Sequence, residues 1–309
     1  LHTMRGISCE ADQVVIYNGT QESLAGVLAL FDAGRTVVAM EDPGYDAVRD
    51  VFSKEGFEIV ACRSFEDDGA FLDDVLASNA QLVYVTPSAQ FPTGRFMSLE
   101  ERKKLIAWAH RTGAYIIEDD FCWEFCYEGE QLPSLFALDG GERVIYMGTF
   151  SKCISPALRV SYEVLPAPLT RRWKDLFDDA YPAVSWMMQT VLARYLSDTR
   201  CRRNLRRLQV RCREKHRLLV SSLAEAMGER VRIIDHGTGL HVLVQVLDGR
   251  TEDELVEAAL AQGIRVYGTR RYWMDSQRAP HGCVLLGHSA LFAEDIAPGV
   301  RALAQAWFA

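Results

Sequence analysis

Residues 143–159 read RVIYMGTFSKCISPALR: an apolar, β-rich run gives way at Gly148 to a turn that carries one amine, Lys152, with Arg159 following seven positions later. A short run of this kind, without polar alternation, reads as a strand buried on both faces. Working outward, the same pattern recurs between residues 14 and 165 as QVVIYN, TVVAMED, FEIVACR, QLVYVTPS and AYIIEDD, with helical patterns between the runs. Ser98 and Glu101 make a capping box before RKKLIAWAHRT, and Gly113 stands where a helix C-cap belongs. QESLAGVLALFDAG is expected to close in the same way on Gly34. The alternation predicts an α/β fold, a mostly parallel sheet with helices on both faces.

Past YEVLP, Pro166 and Pro168 the pattern changes to long helix, from about Leu169 through Val220, and then to a smaller α+β tail. The tail holds RVRIID, LHVLVQV, a Thr251/Glu254 capping box opening EDELVEAALAQG, IRVYG, CVLLGHS and a last helix from about Ala293. The expected division is a large domain over 1–195, including the start of the connecting helix, and a small C-terminal α+β domain over 196–309.

The chain has 309 residues, 49% apolar and 25% charged, enough for a substantial core. Its net charge of −8 opposes non-specific binding to nucleic acid or anionic membrane unless a local basic patch intervenes. One basic run exists, RCRRNLRRLQVRCREKHR, Arg200 to Arg217. Leu205, Leu208 and Cys212 fall at helical spacing within it, so it reads as a half-exposed, solvated helix, with phosphate contact as the alternative. No apolar run approaches the roughly 20 residues of a membrane helix, and LHTMRGISCEADQ has no signal-peptide core, so a cytoplasmic protein without a membrane partner is expected. Eight cysteines are too sparse for a disulfide scaffold, and Cys122 and Cys126 lack a second Cys or His pair, so no metal is expected.

Open α/β sheets bind ligands beyond the carboxyl ends of their strands. There the chain places NGTQ, in which Gly19 permits close backbone approach and the N–H groups of Thr20 and Gln21 open a helix, an anion site. EDPGY puts Tyr45 on a turn, and TPSAQFPTG makes a rigid loop. Glu118, Asp119 and Asp120 end a hydrophobic strand, where burial demands a cation or donor. Each feature alone has a plain reading as a cap, a packing tyrosine or a surface lysine. Together they match an aromatic ring bearing a phosphate, a ring nitrogen and an aldehyde, which is pyridoxal 5'-phosphate, PLP. The lysine amine would take the aldehyde and a carboxylate the ring nitrogen.

The ordered set NGTQ, EDPGY, TPSAQFPTG, IIEDDFCWEF and GTFSKCISPALR resembles fold-type I PLP enzymes of the class I/II aminotransferase group. It is most similar to the aminotransferase-like domain of MocR-type regulators in the GntR superfamily, over essentially the whole chain. The resemblance implies that Lys152 is the Schiff-base lysine, Asp119 the partner of the pyridine nitrogen and Tyr45 the stacking aromatic. Ser151 and Arg159, with the backbone of Gly19, Thr20 and Gln21, match the phosphate cradle. VYGTRRYW falls where the resembled family often places an arginine for the substrate carboxylate, with Arg271 the first choice and Arg270 the second, and an exposed structural arginine as the alternative.

The chain departs from that pattern at three site positions. Phe121 replaces a tyrosine and Phe91 an asparagine, both usual donors to the cofactor's phenolate oxygen, and Ala89 replaces a histidine. The chain also begins near MRGISC without the preceding arm, first helix or helix-turn-helix segment of the regulators. Two functions are therefore expected. The first is a PLP-binding, dimerising effector domain sensing PLP or a small-molecule amino compound, with DNA reached only through a helix-turn-helix domain outside this sequence. The alternative is a free-standing aminotransferase moving an amino group between an amino acid and a 2-oxo acid through Lys152.

Overall fold

The computed structural model describes residues 2–65, 69–128, 131–177 and 182–309. Each apolar run of the first half forms a strand: β1 (Val14–Tyr17), β2 (Val37–Asp42), β3 (Glu58–Arg63), β4 (Leu82–Val85), β5 (Tyr115–Asp119) and β6 (Val144–Thr149). A further strand, β7 (Ser161–Val164), comes from the stretch before Pro166 that the pattern did not single out. The sheet order is β1-β7-β6-β5-β4-β2-β3. From β6 to β3 every pair is parallel, while β7 runs antiparallel to both β1 and β6. β4 is buried at all four positions and β6 at five of six, which is why these runs show no polar alternation. One face packs Trp108, Phe136 and Tyr146, and the other Leu24, Phe52 and Tyr84.

Capping chemistry fixes several boundaries. The Ser98/Glu101 box opens the helix Leu99–Thr112, which stops at Gly113 in the left-handed conformation, φ 78°. The helix expected to run to Gly34 instead covers Thr20–Leu28. Its continuation is a separate turn, closed by the Gly34 N–H donating to Asp32 Oδ1 at 3.0 Å.

The long helix expected over Leu169–Val220 is three helices, Ala167–Phe177, Trp186–Ser197 and Thr199–Met227. Residues 178–181 of that stretch lie outside the described residues. Ser185 caps the second helix and Asp198 the third, where the Arg200 N–H donates to Asp198 Oδ1 at 2.8 Å. The break at Asp198 occupies one residue, so the apolar period runs through it almost unchanged.

β8 (Val231–Ile234), β9 (His241–Val246), β10 (Tyr267–Gly268) and β11 (Cys283–Gly287) form an antiparallel sheet in the order β10-β11-β9-β8. IRVYG contributes only the two residues of β10. Thr251 and Glu254 form the expected capping box at the head of the helix Glu252–Ala261. Leu219 and Leu223 of the long third helix, Leu255, and Trp307 of the helix Ala293–Phe308 pack on Val244 and Val284 of this sheet. We propose a division at residues 195 and 196, just ahead of that third helix.

Candidate functional site

Successive side chains of a strand point to opposite faces, and this sorts the carboxylates of Glu118 and Asp119 at the end of β5 and of Asp120 just after it. Glu118 accepts the N–H groups of Leu135 and Phe136 at 2.8 and 2.9 Å, with Arg102 3.8 Å away. Asp120 meets Arg5 Nε at 2.7 Å and accepts the Tyr146 hydroxyl at 2.8 Å. The cations that burial demands are thus Arg5 and Arg102. Asp119 faces the other way, is 5% exposed, and accepts the Tyr84 hydroxyl at 2.5 Å. Among the described residues it has no salt bridge. Burial pushes its carboxyl up to about 6, against the Tyr84 hydrogen bond and the charge of Lys152.

Lys152 lies exposed on the turn that follows β6, close enough for its charge to act on Asp119, Cys122 and His241. The turn is held at its neck: Phe150 N–H donates to Val160 O at 3.0 Å, and Ser151 N–H to Thr149 Oγ1 at 3.1 Å. It returns through Arg159, whose φ of 51° is unusual for a residue with a side chain. That conformation lays the guanidinium on Gly19. A Cβ at Gly19 would overlap Nη2 and stand 3.1 Å from Cζ, so a side chain there would push the guanidinium aside, and the φ of 96° itself favours glycine. Gly19, at φ 96°, is also the N-cap of Thr20–Leu28, whose first N–H groups have no intrahelical acceptor. A guanidinium beside a helix N-terminus is a fitting cradle for a phosphate.

Tyr45 caps the helix Asp46–Lys54 and is 40% exposed. Burial raises its phenol, as do Asp46 and Asp119, while Arg159 and Arg271 act in the opposite direction. This one phenol therefore lies in the field of the carboxylate, the cradle arginine and the distal arginine. Arg271 Nε meets Asp46 Oδ2 at 2.6 Å. Arg270 turns elsewhere, its guanidinium 3.9 Å from Asp253 and its N–H donating to Glu252 Oε2 at 2.9 Å.

Phe91 sits edge-on to Tyr45 at 5.6 Å, to Tyr272 at 4.7 Å and to His241 at 5.4 Å. Its loop is pinned by Gln90, which donates to Pro43 O at 2.7 Å and accepts the Thr93 hydroxyl at 2.6 Å. Ala89 and Phe121 pack with Cys122, Phe125, Tyr127 and Cys212. Where the resemblance leads one to expect donors, the chain has packed apolar surface. Tyr84, His241 and Tyr272 were not singled out from the sequence. The available signal was a phenol or imidazole inside a buried run. Among the described residues no group of three or more His, Cys, Asp or Glu is arranged to hold a metal.

The family model for aminotransferase class I and II matches residues 1–275. The chain belongs to that family. Members are PLP-dependent, and the lysine, the buried carboxylate without a cation and the glycine-arginine cradle all fit PLP. Among curated proteins, this aminotransferase-family chain is 33% identical over 303 residues to the uncharacterised HTH-type transcriptional regulator YhdI of Bacillus subtilis, covering 98% of this chain and 64% of that one. It is 30% identical over 311 residues to the probable rhizopine catabolism regulatory protein MocR of Rhizobium meliloti, covering 100% and 62%. The chain thus spans under two thirds of the length of these relatives. Among solved structures it is similar to LysN, an alpha-aminoadipate aminotransferase of Thermus thermophilus complexed with N-(5'-phosphopyridoxyl)-L-leucine. The TM-score is 0.83 at 27% identity, covering 96% of this chain and 77% of that one.

Proposed function

We propose that this chain is the PLP-binding, dimerising effector domain of a MocR-type regulator of the GntR superfamily, acting in the cytoplasm and responding to PLP or a small amino compound at Lys152. The observation that carries the reading is the combination of a complete cofactor cradle with a missing set of polar donors. Lys152, Asp119, Arg159 and Gly19 suit the needs of PLP, while Phe121 and Ala89 pack with Cys122, Phe125, Tyr127 and Cys212, and Phe91 packs edge-on to Tyr45. DNA is reached through a helix-turn-helix segment of the kind that the longer relatives' names record. No described helix is long and apolar enough to cross a membrane.

When bound, PLP supplies an aldehyde and an electron-poor ring. The residues of this chain have the following roles. Lys152 presents its amine to the aldehyde, and Asp119 holds a positive charge at the ring nitrogen. Tyr84 donates to Asp119 and fixes its orientation. Tyr45 covers one ring face. Arg159, Ser151 and the N–H groups of Gly19 to Gln21 bind the phosphate. Arg271, or failing it Arg270, receives a ligand carboxylate, and Arg271 does so by sharing or leaving Asp46.

Each absent donor to the phenolate oxygen removes about 1 kcal/mol of hydrogen bonding. These residues would therefore hold PLP while tuning it weakly for turnover. The second reading, an aminotransferase in its own right, is favoured by the retained Lys152 and Asp119 and by the likeness to LysN. Incubation of the PLP-loaded chain with a panel of amino acids and a 2-oxo acid separates the two. The effector reading expects at most one equivalent of pyridoxamine phosphate per subunit, and sustained multiple turnovers would overturn it.

A further inference from the structure

The helix Thr199–Met227 carries eight arginines and one lysine against two glutamates, a surplus of seven positive charges in a chain of net charge −8. Arg202, Arg203, Arg206, Arg207, Arg211, Arg213 and Arg217 are all exposed. Among the described residues none of these seven forms an ion pair; Arg200, at the start of the helix, is held by Asp198 at 2.6 Å. The adjoining face, roughly 100° round the helix from the middle of the arginines, is spoken for: Cys212, His216 and Leu219 are buried. At 3.6 residues per turn, Arg202, Arg206, Arg213 and Arg217 fall within roughly 60° of one another along roughly 22 Å of helix.

A stripe of this length costs self-repulsion, and among the described residues no ion pair with these seven arginines offsets it. We propose that the stripe is a docking surface for the phosphodiester backbone of duplex DNA, contacted without reading the bases. Charge complementarity selects a polyanion. Arginine's planar fork takes phosphate oxygens in pairs, and a regularly spaced row of arginines suits a backbone that repeats its phosphates. From Thr199 to Met227 there is no aromatic residue on which an unpaired base would stack, which disfavours single strands. Of the amide side chains able to read base edges, Gln209 is already bonded to Glu124 O at 2.8 Å and Asn204 to the Tyr195 hydroxyl at 3.3 Å. Val210 is the helix's only large apolar residue among the strongly exposed ones, too little to anchor in a lipid surface. The stripe would thus add sequence-independent affinity to a separate base-reading segment, so the inference rests on the regulator reading above.

The test uses the PLP-loaded 309-residue chain, a fluorescein-labelled 30-base-pair duplex of random sequence, and anisotropy at several salt concentrations. Four phosphate contacts predict a slope of about −3.6 in log K against log salt, a loss of roughly 150-fold between 50 and 200 mM. In R206A/R213A the slope should halve, while the thermal midpoint and the visible absorption of bound PLP stay unchanged. R206K/R213K should keep most of the slope. No binding at 50 mM salt, an unchanged slope in the alanine variant, or equally strong binding to phosphatidylserine vesicles would overturn the proposal. So would a change of oligomeric mass in the alanine variant, which would assign the stripe to a second copy of the chain. The regulator reading itself stands or falls on turnover with amino acids, which involves no DNA.

Discussion

Gly19 and Arg159 decide at the scale of single atoms whether a phosphate has a place. Gly19→Ala would drive a methyl group into the guanidinium and impose a side chain on a φ of 96°. PLP affinity should fall at least about 10-fold, the size of one lost charged hydrogen bond. Affinity for pyridoxal, which lacks the phosphate, should change little; equal losses for both ligands would contradict the assignment. Tyr84→Phe removes the one side-chain donor to Asp119. Burial then acts on the carboxyl with less opposition, so the variant should bind PLP roughly 10-fold less tightly in a titration. The sequence marks Lys152 and Arg159 after one apolar run and the trio Glu118, Asp119 and Asp120 at the end of another, while the choice of Asp119 within that trio comes from the family resemblance. Tyr84 and His241 were not legible, because a phenol or imidazole inside a buried strand reads as core until its partner is seen. Arg5, which neutralises Asp120, was hidden because no local pattern joins positions 115 residues apart in the chain.

Element ends were readable where side chains enforce them, and the boxes at Ser98 and Thr251 form as expected. Ser98→Ala should lower stability by about 1 kcal/mol in denaturant titration. The break at Asp198 was not readable, since one extended residue between two amphipathic helices leaves the period intact. Buried acids on these elements also set a pH response. Burial pushes Glu41 up to about 7 and Glu124, in the 3-10 turn Trp123–Phe125, up to about 8. A carboxyl that holds its proton more tightly when folded contributes stability that is lost as pH rises through the folded value. His241 and His288 are lowered by burial, and their opposite contribution is complete by about pH 6.5. The cofactor-free protein should therefore have a lower thermal midpoint at pH 8.5 than at pH 6.5. In Glu124→Gln that fall should shrink; an undiminished fall would show that Glu124 is already ionised at pH 6.5.

Across the whole molecule, the small sheet is tied to the large one around the site rather than at a distance from it. Gly44 N–H donates to Tyr272 O at 3.0 Å, Met274 N–H to Asp42 Oδ1 at 2.8 Å, and the Thr238 hydroxyl to Gly94 O. A ligand under Tyr45 and Phe91 thus braces both bodies. PLP at 100 times its dissociation constant should stabilise the fold by about 2.7 kcal/mol, read as a rise in thermal midpoint. The two-body plan was visible in the change from buried parallel runs to helix and then to an α+β tail. The closeness of Arg271 to Asp46, and the distance between the Arg270 and Arg271 side chains, depend on packing that no local pattern encodes. The central claim is that Lys152 and its surroundings form a PLP site, and spectrophotometric titration of the chain and of Lys152→Ala with PLP tests it most directly. The account predicts a saturable visible absorption band in the native chain, at one equivalent per subunit, that is absent from the variant. No band in the native chain, or the same band in Lys152→Ala, would contradict it.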